Sequence, residues 1–161
     1  MAKLFLLIPT QCIKFFGIPF TGKKVPTIFS SSAKAIILKD TSQSKQAAKN
    51  DDLIAMVNAD CVGDKFARIF LLIALGIFLC PSSNCHASHH YYEALSVVKD
   101  IRSFDWCSAV SEFLHLGIVS FRSNLCEGNS SGKETLAGCV FILVVRFPYS
   151  ISSLFFLHSL Q

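Results

Sequence analysis

The chain has 161 residues, 52% of them hydrophobic and only 16% charged, and its formal net charge is +4 at pH 7. This length predicts one domain with a sizeable core and argues against a second full domain. Because about 25% charged residues is usual in a globular domain, three alternatives stay open: a well-filled core, insertion into a membrane, or a fragment that lacks its partner.

Residues 1–50 form a lysine-rich segment with eight lysines and one acid, whereas the rest of the chain has seven basic and ten acidic residues. Its X-Pro pairs predict irregular structure, with a short helix around residues 10–16 and a polar linker over residues 39–50. Nucleic acid contact through these lysines is the lesser alternative, because only Lys23 and Lys24 are adjacent. A solvated surface is the preferred interpretation.

From residue 51 onward the apolar residues recur with the period of α-helices, and no strand-like alternation of comparable length competes. The predicted helices lie within residues 51–60 and over residues 64–79, 89–98, 104–121 and 133–145. Pro81 ends the second helix, and Ser88 and Ser103 are the predicted N-caps of the next two. The sequence therefore predicts an all-α domain of about five helices over residues 51–147, followed by an apolar tail at residues 148–161.

The helix predicted at residues 104–121 has two different faces. The apolar face, expected to lie in the core, carries Trp106, Val110, Phe113, Leu114, Leu116, Gly117 and Phe121. The opposite face carries Asp105, Ser108, Glu112 and Ser120. A surface loop is predicted to follow at residues 122–132.

Two apolar runs raise the question of membrane insertion. Residues 69–80 would make a helix of about 18 Å, against about 30 Å of hydrocarbon in a bilayer. The second run, residues 136–145, reaches spanning length only by crossing Arg146 and Pro148 and continuing to residue 158. Core helices are therefore the preferred interpretation of both, and a small integral membrane protein with one or two helices is the alternative.

Cysteine and histidine residues are concentrated between residues 78 and 92, where Cys85, His86, His89 and His90 are candidate zinc ligands. Structural zinc sites bring together two ligand pairs separated by a loop, whereas these four residues are nearly contiguous. A helix end followed by an N-cap is therefore the preferred interpretation, with no metal, cofactor, catalytic residue or small-molecule substrate implied. The odd total of seven cysteines favours a reducing compartment without a disulfide framework.

Three segments carry a family resemblance: "DKFARIFLLIALGIFLCPSSNCHASHHYYEAL", "IRSFDWCSAVSEFL" and "KETLAGCVFIL". Their order resembles that of a plant-specific, transposon-derived group, in which a Leu-Cys-Pro turn, Tyr-x-x-Ala-Leu, an Asp-Trp helix start and a Gly-Cys-hydrophobic segment follow one another. The upstream "FFGIPFTGKKVP" is similar to the group's Gly-Ile-Pro-x-x-Gly turn. The group comprises aminotransferase-like plant mobile domain proteins and the N-terminal helical region that accompanies SUMO-type protease domains.

The resemblance implies a non-enzymatic helical domain of unknown role, a nuclear location, and a place within a longer family architecture. The label "aminotransferase-like" implies no transaminase activity here, because no cofactor-lysine context is present. After Val145 the sequence departs from the group's aromatic-acidic continuation, which suggests a truncated or mis-spliced reading frame. A membrane location is the alternative.

Overall fold

The computed structural model describes residues 17–18, 21–43, 47–81, 86–126 and 137–139. Its α-helices are α1 (Ser31–Asp40), α2 (Asn50–Ala55), α3 (Gly63–Ile73), α4 (Tyr92–Ser96) and α5 (Trp106–Cys126). A π-helical turn (Ala74–Leu79) continues α3, and two 3-10 turns (His89–Tyr91 and Val98–Ser103) flank α4. Among the described residues, pairing of extended backbone is limited to two isolated bridges. The predicted all-α fold is confirmed.

Helix α1 lies in the segment for which the sequence predicted irregular structure and a linker. Its first turn is capped by Ser30, whose Oγ accepts a hydrogen bond from the Ala33 backbone N–H at 3.1 Å. The Glu93 carboxylate in turn accepts the Ser30 backbone N–H at 2.7 Å. These bonds tie the start of α1 to α4, the helix against which it packs.

Helix α3 and its π-helical turn together match the helix predicted for residues 64–79. The Cys80 N–H donates to the Leu75 carbonyl at 2.7 Å, the spacing of five residues that defines a π-helix. Pro81 follows and cannot continue the helix. Within the described residues, no helix is both long and apolar enough to cross a membrane.

Two predicted N-caps are corrected by the structure. Ser88 precedes the 3-10 turn in an extended conformation but makes no side-chain capping bond. Ser103 donates its hydroxyl to the Asp100 carbonyl, and α5 begins instead beyond Asp105. The Asp105 carboxylate accepts the backbone N–H of Ser108 at 2.9 Å and its hydroxyl at 2.7 Å. A carboxylate accepts both donors, whereas Ser103 lies too early in the chain to reach them.

The C-terminal part of the helix prediction is also corrected. Helix α5 runs to Cys126, so the predicted loop at residues 122–132 starts at least five residues too early. The helix predicted at residues 133–145 is wrong at residues 137–139, because Gly138 has a φ of +113°. Gly138 donates its N–H to the Pro81 carbonyl, and a Cβ there would lie 2.7 Å from Leu114 Cα. At this position the chain is not helical, and Gly138 packs closely against α5.

One hydrophobic core joins all five α-helices. Its fully buried side chains include Ile37, Leu53, Ile69, Leu72, Leu95, Cys107, Val110 and Leu114. The Arg68 guanidinium in α3 pairs with Asp40 at the end of α1 at 2.6 Å and donates to the Ser96 carbonyl at the end of α4. The predicted boundaries at residues 50 and 147 stay predictions, and the helix predicted at residues 10–16 and the tail lie outside the described residues.

Candidate functional site

The histidines that were candidate zinc ligands make different contacts in the structure. His86 forms an isolated bridge with Lys49. The rings of His89 and His90 lie 4.6 Å apart, and the His89 ring also meets Phe29 edge-on at 5.5 Å. Within the described residues, no group of three or more His, Cys, Asp or Glu side chains is placed to hold a metal ion. Cys85 lies outside the described residues, so the interpretation of this stretch stays a prediction.

Cys80 is held as a neutral thiol in the core. Its Sγ accepts a hydrogen bond from the Tyr91 hydroxyl at 3.2 Å, and the residue is 2% exposed. The pKa of Cys80 is raised to about 12, mainly by burial; the Tyr91 hydrogen bond opposes this rise and the neighbouring Cys139 adds to it. Because the thiolate is the nucleophilic form of cysteine, this side chain is unsuited to attack on a substrate near neutral pH.

A groove with a volume of about 1020 Å³ lies between residues 22–28 and α5, and we call it the α5 groove. The segment is held at one end by two hydrogen bonds of 2.8 Å, from Lys23 N–H to the Ser103 carbonyl and from Asp105 N–H to the Lys23 carbonyl. Gly22 is required there, because its φ is +147° and a Cβ would overlap the Ser103 carbonyl. The groove thus depends on two parts of the chain about 80 residues apart.

Most of the exposed surface of the α5 groove is apolar, although polar residues also line it and charged groups lie on both sides. The apolar residues are Val25, Ile28, Ala109, Phe113, Leu116, Gly117 and Ala137. The polar residues are Lys24, Thr27, His90, Tyr91, Asp105, Ser108, Glu112 and Ser120. Burial is the main reason why the pKa of Tyr91 is raised, with Cys80 and Glu112 contributing. A mostly apolar cleft with a few placed polar groups is typical of a binding site.

Most of the groove residues of α5 were predicted to lie on two opposite faces of the helix. Leu116 was expected in the core but is 61% exposed, so that prediction is wrong. Asp105, Ser108, Glu112 and Ser120 were predicted on the face opposite the apolar residues, yet they line the same groove as Phe113 and Leu116. The helical period cannot reveal a groove whose second wall comes from a distant segment. The one local signal was Gly117, against which the Ala137 carbonyl packs closely.

Comparisons with known proteins identify a family but no activity. A family model described as "Domain of unknown function (DUF8566)" matches residues 3–144. No curated protein and no solved structure shows significant similarity to the chain. The match covers most of the sequence, including all the helices and the whole lining of the α5 groove. The chain therefore belongs to the DUF8566 family.

Proposed function

We propose that this helical domain is non-enzymatic and acts by binding an extended, largely apolar peptide segment of a partner protein in the α5 groove. The observation that carries the proposal is the form of the groove, which is open, long and mostly apolar. Its lining follows α5 from Asp105 to Ser120, about 23 Å of helix. At about 3.3 Å per residue, an extended peptide of about seven residues fits this length.

Residues 24–28 offer such a peptide a backbone to pair with. Val25 precedes Pro26, which favours an extended conformation, and the segment follows the bridge between Lys23 and Phe104. Among the described residues, the backbone of residues 24–28 makes no hydrogen bond to other backbone groups. An extended segment whose backbone groups are unpaired among the described residues can accept a peptide by strand addition, with Pro26 contributing its carbonyl but no N–H.

The charges in the groove favour a peptide that carries both an acidic and a basic residue. Lys24 lies on the segment wall and Glu112 on the α5 wall, and both are exposed. The ion pair found within the described residues joins Arg68 and Asp40, so the two groove charges do not pair with each other. An acidic side chain near Lys24 and a basic one near Glu112 would complement them.

The same proposal includes kinship with the plant transposon-derived group and a nuclear location. The order of the Leu-Cys-Pro, Tyr-x-x-Ala-Leu and Asp-Trp motifs supports it. The neutral Cys80 thiol fits a domain without a cysteine nucleophile. A fluorescent fusion expressed in plant cells tests the location, and retention in the membrane fraction after carbonate extraction would contradict it.

Selection from a random peptide library, followed by fluorescence anisotropy with the selected peptides, tests the binding function. We expect the recovered peptides to combine alternating apolar residues with one basic and one acidic position. Leu116→Asp should weaken binding at least tenfold, because it places a charge on the apolar groove wall. Val119→Asp is the matched control, since Val119 is 49% exposed on the same helix but does not line the groove.

Two results would overturn the binding proposal. One is the recovery of no peptide from the library by the folded full-length chain. The other is a set of peptides whose affinity is the same for Leu116→Asp and wild type. Far-ultraviolet circular dichroism of both variants checks that the helices are retained.

A further inference from the structure

Helix α3 and its π-helical turn carry apolar side chains on the exposed side as well as on the side that faces the core. Its inner side contributes Ile69, Leu72 and Leu75 to the core. Its outer side exposes the set that we call the outer face of α3: Val62, Phe66, Phe70, Ile77 and Phe78. A cluster of large exposed apolar side chains on one surface is typical of a site where another molecule packs. The outer face therefore lacks a cover within the described residues.

The spacing of the exposed residues is that of a helix-pairing seam. The exposed residues Phe66, Phe70 and Ile77 are separated by four and seven residues, which matches the a and d positions of a heptad, and the half-buried Ile73 lies between them. The rings of Phe66 and Phe70 are stacked at 5.9 Å. The π-helical turn advances by a smaller angle per residue than an α-helix, and it leaves both Ile77 and Phe78 exposed.

The area of this surface matches what a small dimer needs. Phe66, Phe70 and Phe78 are 39%, 54% and 55% exposed, which gives roughly 300 Å² of apolar surface. The exposed aliphatic residues about double that area. They lie on the outer face (Val62 and Ile77) and on the adjoining α2 and the turn that follows it (Ile54 and Val57). A symmetric pair would then bury roughly 1,200 Å² in total, the lower end of the range for specific interfaces.

The distribution of charge favours a second copy of the same chain. Asp64 and Lys65, in the first turn, are exposed charged residues of α3, while Arg68 is paired with Asp40. In an antiparallel pair these first turns lie at opposite ends, so like charges do not face each other across the seam. A lipid surface fits less well, because a helix at a membrane interface has a charged face in water, whereas the inner side of α3 lies in the core.

We propose that the outer face of α3 is a dimer interface, in which the α3 helices of two copies pack antiparallel about a two-fold axis. This surface is separate from the α5 groove and shares no lining residue with it. The inference therefore does not depend on the proposed peptide binding.

Sedimentation velocity of the full-length chain, measured over a range of concentrations, tests the interface. Wild type should sediment as a dimer at micromolar concentration, and Phe70→Glu should raise the dissociation constant at least a hundredfold, because it buries charge at the centre of the seam. Val97→Glu is the control, since Val97 is 52% exposed and lies outside α3. It should remain dimeric.

A charge-reversal pair distinguishes loss of the interface from loss of the fold. Phe70 lies near the middle of the seam, so the two copies of this side chain approach each other near the axis. Phe70→Glu and Phe70→Lys should each be monomeric, and an equimolar mixture should form a heterodimer. Failure of the mixture to associate would overturn the antiparallel arrangement, even if each variant were monomeric.

Other occupants of the outer face give different results. A wild-type chain that stays monomeric in solution would overturn the proposal. So would a monomer that binds phosphatidylcholine and phosphatidylserine vesicles through Phe70, because the face would then meet lipid. A dimer that persists unchanged in Phe70→Glu would place the interface elsewhere and would equally overturn it.

Discussion

At the scale of single residues, Cys80 and Tyr91 show how burial keeps a side chain in its protonated form. Cys80 and Tyr91 satisfy each other in the core, where the hydroxyl donates to the sulfur at 3.2 Å. Burial raises the pKa of both groups above their ordinary values, so each stays protonated near neutral pH. Cys80 ends the apolar run at residues 69–80, which the sequence predicts to be a core helix. The sequence did not indicate the contact between Cys80 and Tyr91, because the two residues meet only after the chain turns at Pro81.

The Tyr91→Phe substitution measures this contact. It removes the hydroxyl and keeps the ring against Trp106, whose centroid lies 5.9 Å away. We expect the free energy of unfolding in urea to fall by about 1 kcal/mol, the usual net value of one buried hydrogen bond. Tyr92→Phe is the control, because among the described residues its hydroxyl forms none of the recorded hydrogen bonds. An equal loss in the two variants would show that the Cys80 contact contributes nothing specific.

At the scale of the elements, the sequence predicts helices well only where a long apolar stripe is buried. Helix α3 and its π-helical turn together match the helix predicted at residues 64–79, because Ile69, Leu72 and Leu75 repeat on one side. Helix α1 was missed, because it buries only Ala33 and Ile37 and its remaining residues are polar or exposed. Its stability comes from the Ser30 cap and from packing on α4, which a local pattern does not show.

The α5 groove could not be predicted for a related reason. Each wall has an ordinary local pattern, an X-Pro segment on one side and an amphipathic helix on the other. Only the pairing of Lys23 with Ser103 and Asp105 brings them together. The polar face of α5 was predicted only as the side opposite the apolar residues, because no residue close in sequence indicated the second wall of the groove.

Arg68 of α3 links three elements, through its ion pair with Asp40 of α1 and its hydrogen bond to Ser96 of α4. The Asp40→Ala substitution tests the importance of the ion pair. The two side chains are only 12% and 15% exposed. Removing the carboxylate leaves the guanidinium largely buried, with the Ser96 carbonyl as its hydrogen-bond acceptor among the described residues, so we expect the free energy of unfolding to fall by about 3 kcal/mol. The measurement is urea denaturation followed by circular dichroism.

Lys39→Ala provides the control for Asp40→Ala. Lys39 occupies the last turn of the same helix and is exposed. Its removal should change the unfolding free energy by about 0.5 kcal/mol or less. Similar losses in the two variants would mean that Arg68 finds adequate solvation without Asp40.

At the scale of the whole molecule, the apolar content of the described residues has two locations. Much of it fills one core, to which Val25 and Ile37 contribute as well as the helices after residue 50. Some of it remains on the surface, chiefly on the outer face of α3. Of the three alternatives that the composition left open, a well-filled core accounts for the first part. The uncovered face of α3 is the reason to look for a partner.

The stability of the whole molecule should fall at alkaline pH. Burial raises the pKa of Cys80 from 9.0 to about 12, and it raises the pKa of Tyr91 and Tyr92 above 10.0. The unfolded chain therefore loses these protons at lower pH than the folded chain does. The stabilisation is fully present below about pH 9 and is progressively lost as the pH rises toward 12.

Urea denaturation at about pH 8 and about pH 10.5 measures this loss, and tyrosinate absorbance follows the ionisation directly. We expect a lower unfolding free energy at the higher pH, and tyrosinate signals that appear together with unfolding. The double variant Cys80→Ala, Tyr91→Phe should be less stable at pH 8 but should lose less on going to pH 10.5, because two of the titrating groups are gone. The same pH dependence in the double variant and in wild type would assign the alkaline loss to other groups, and with it would remove Cys80 and Tyr91 as the buried acids that link this fold to pH.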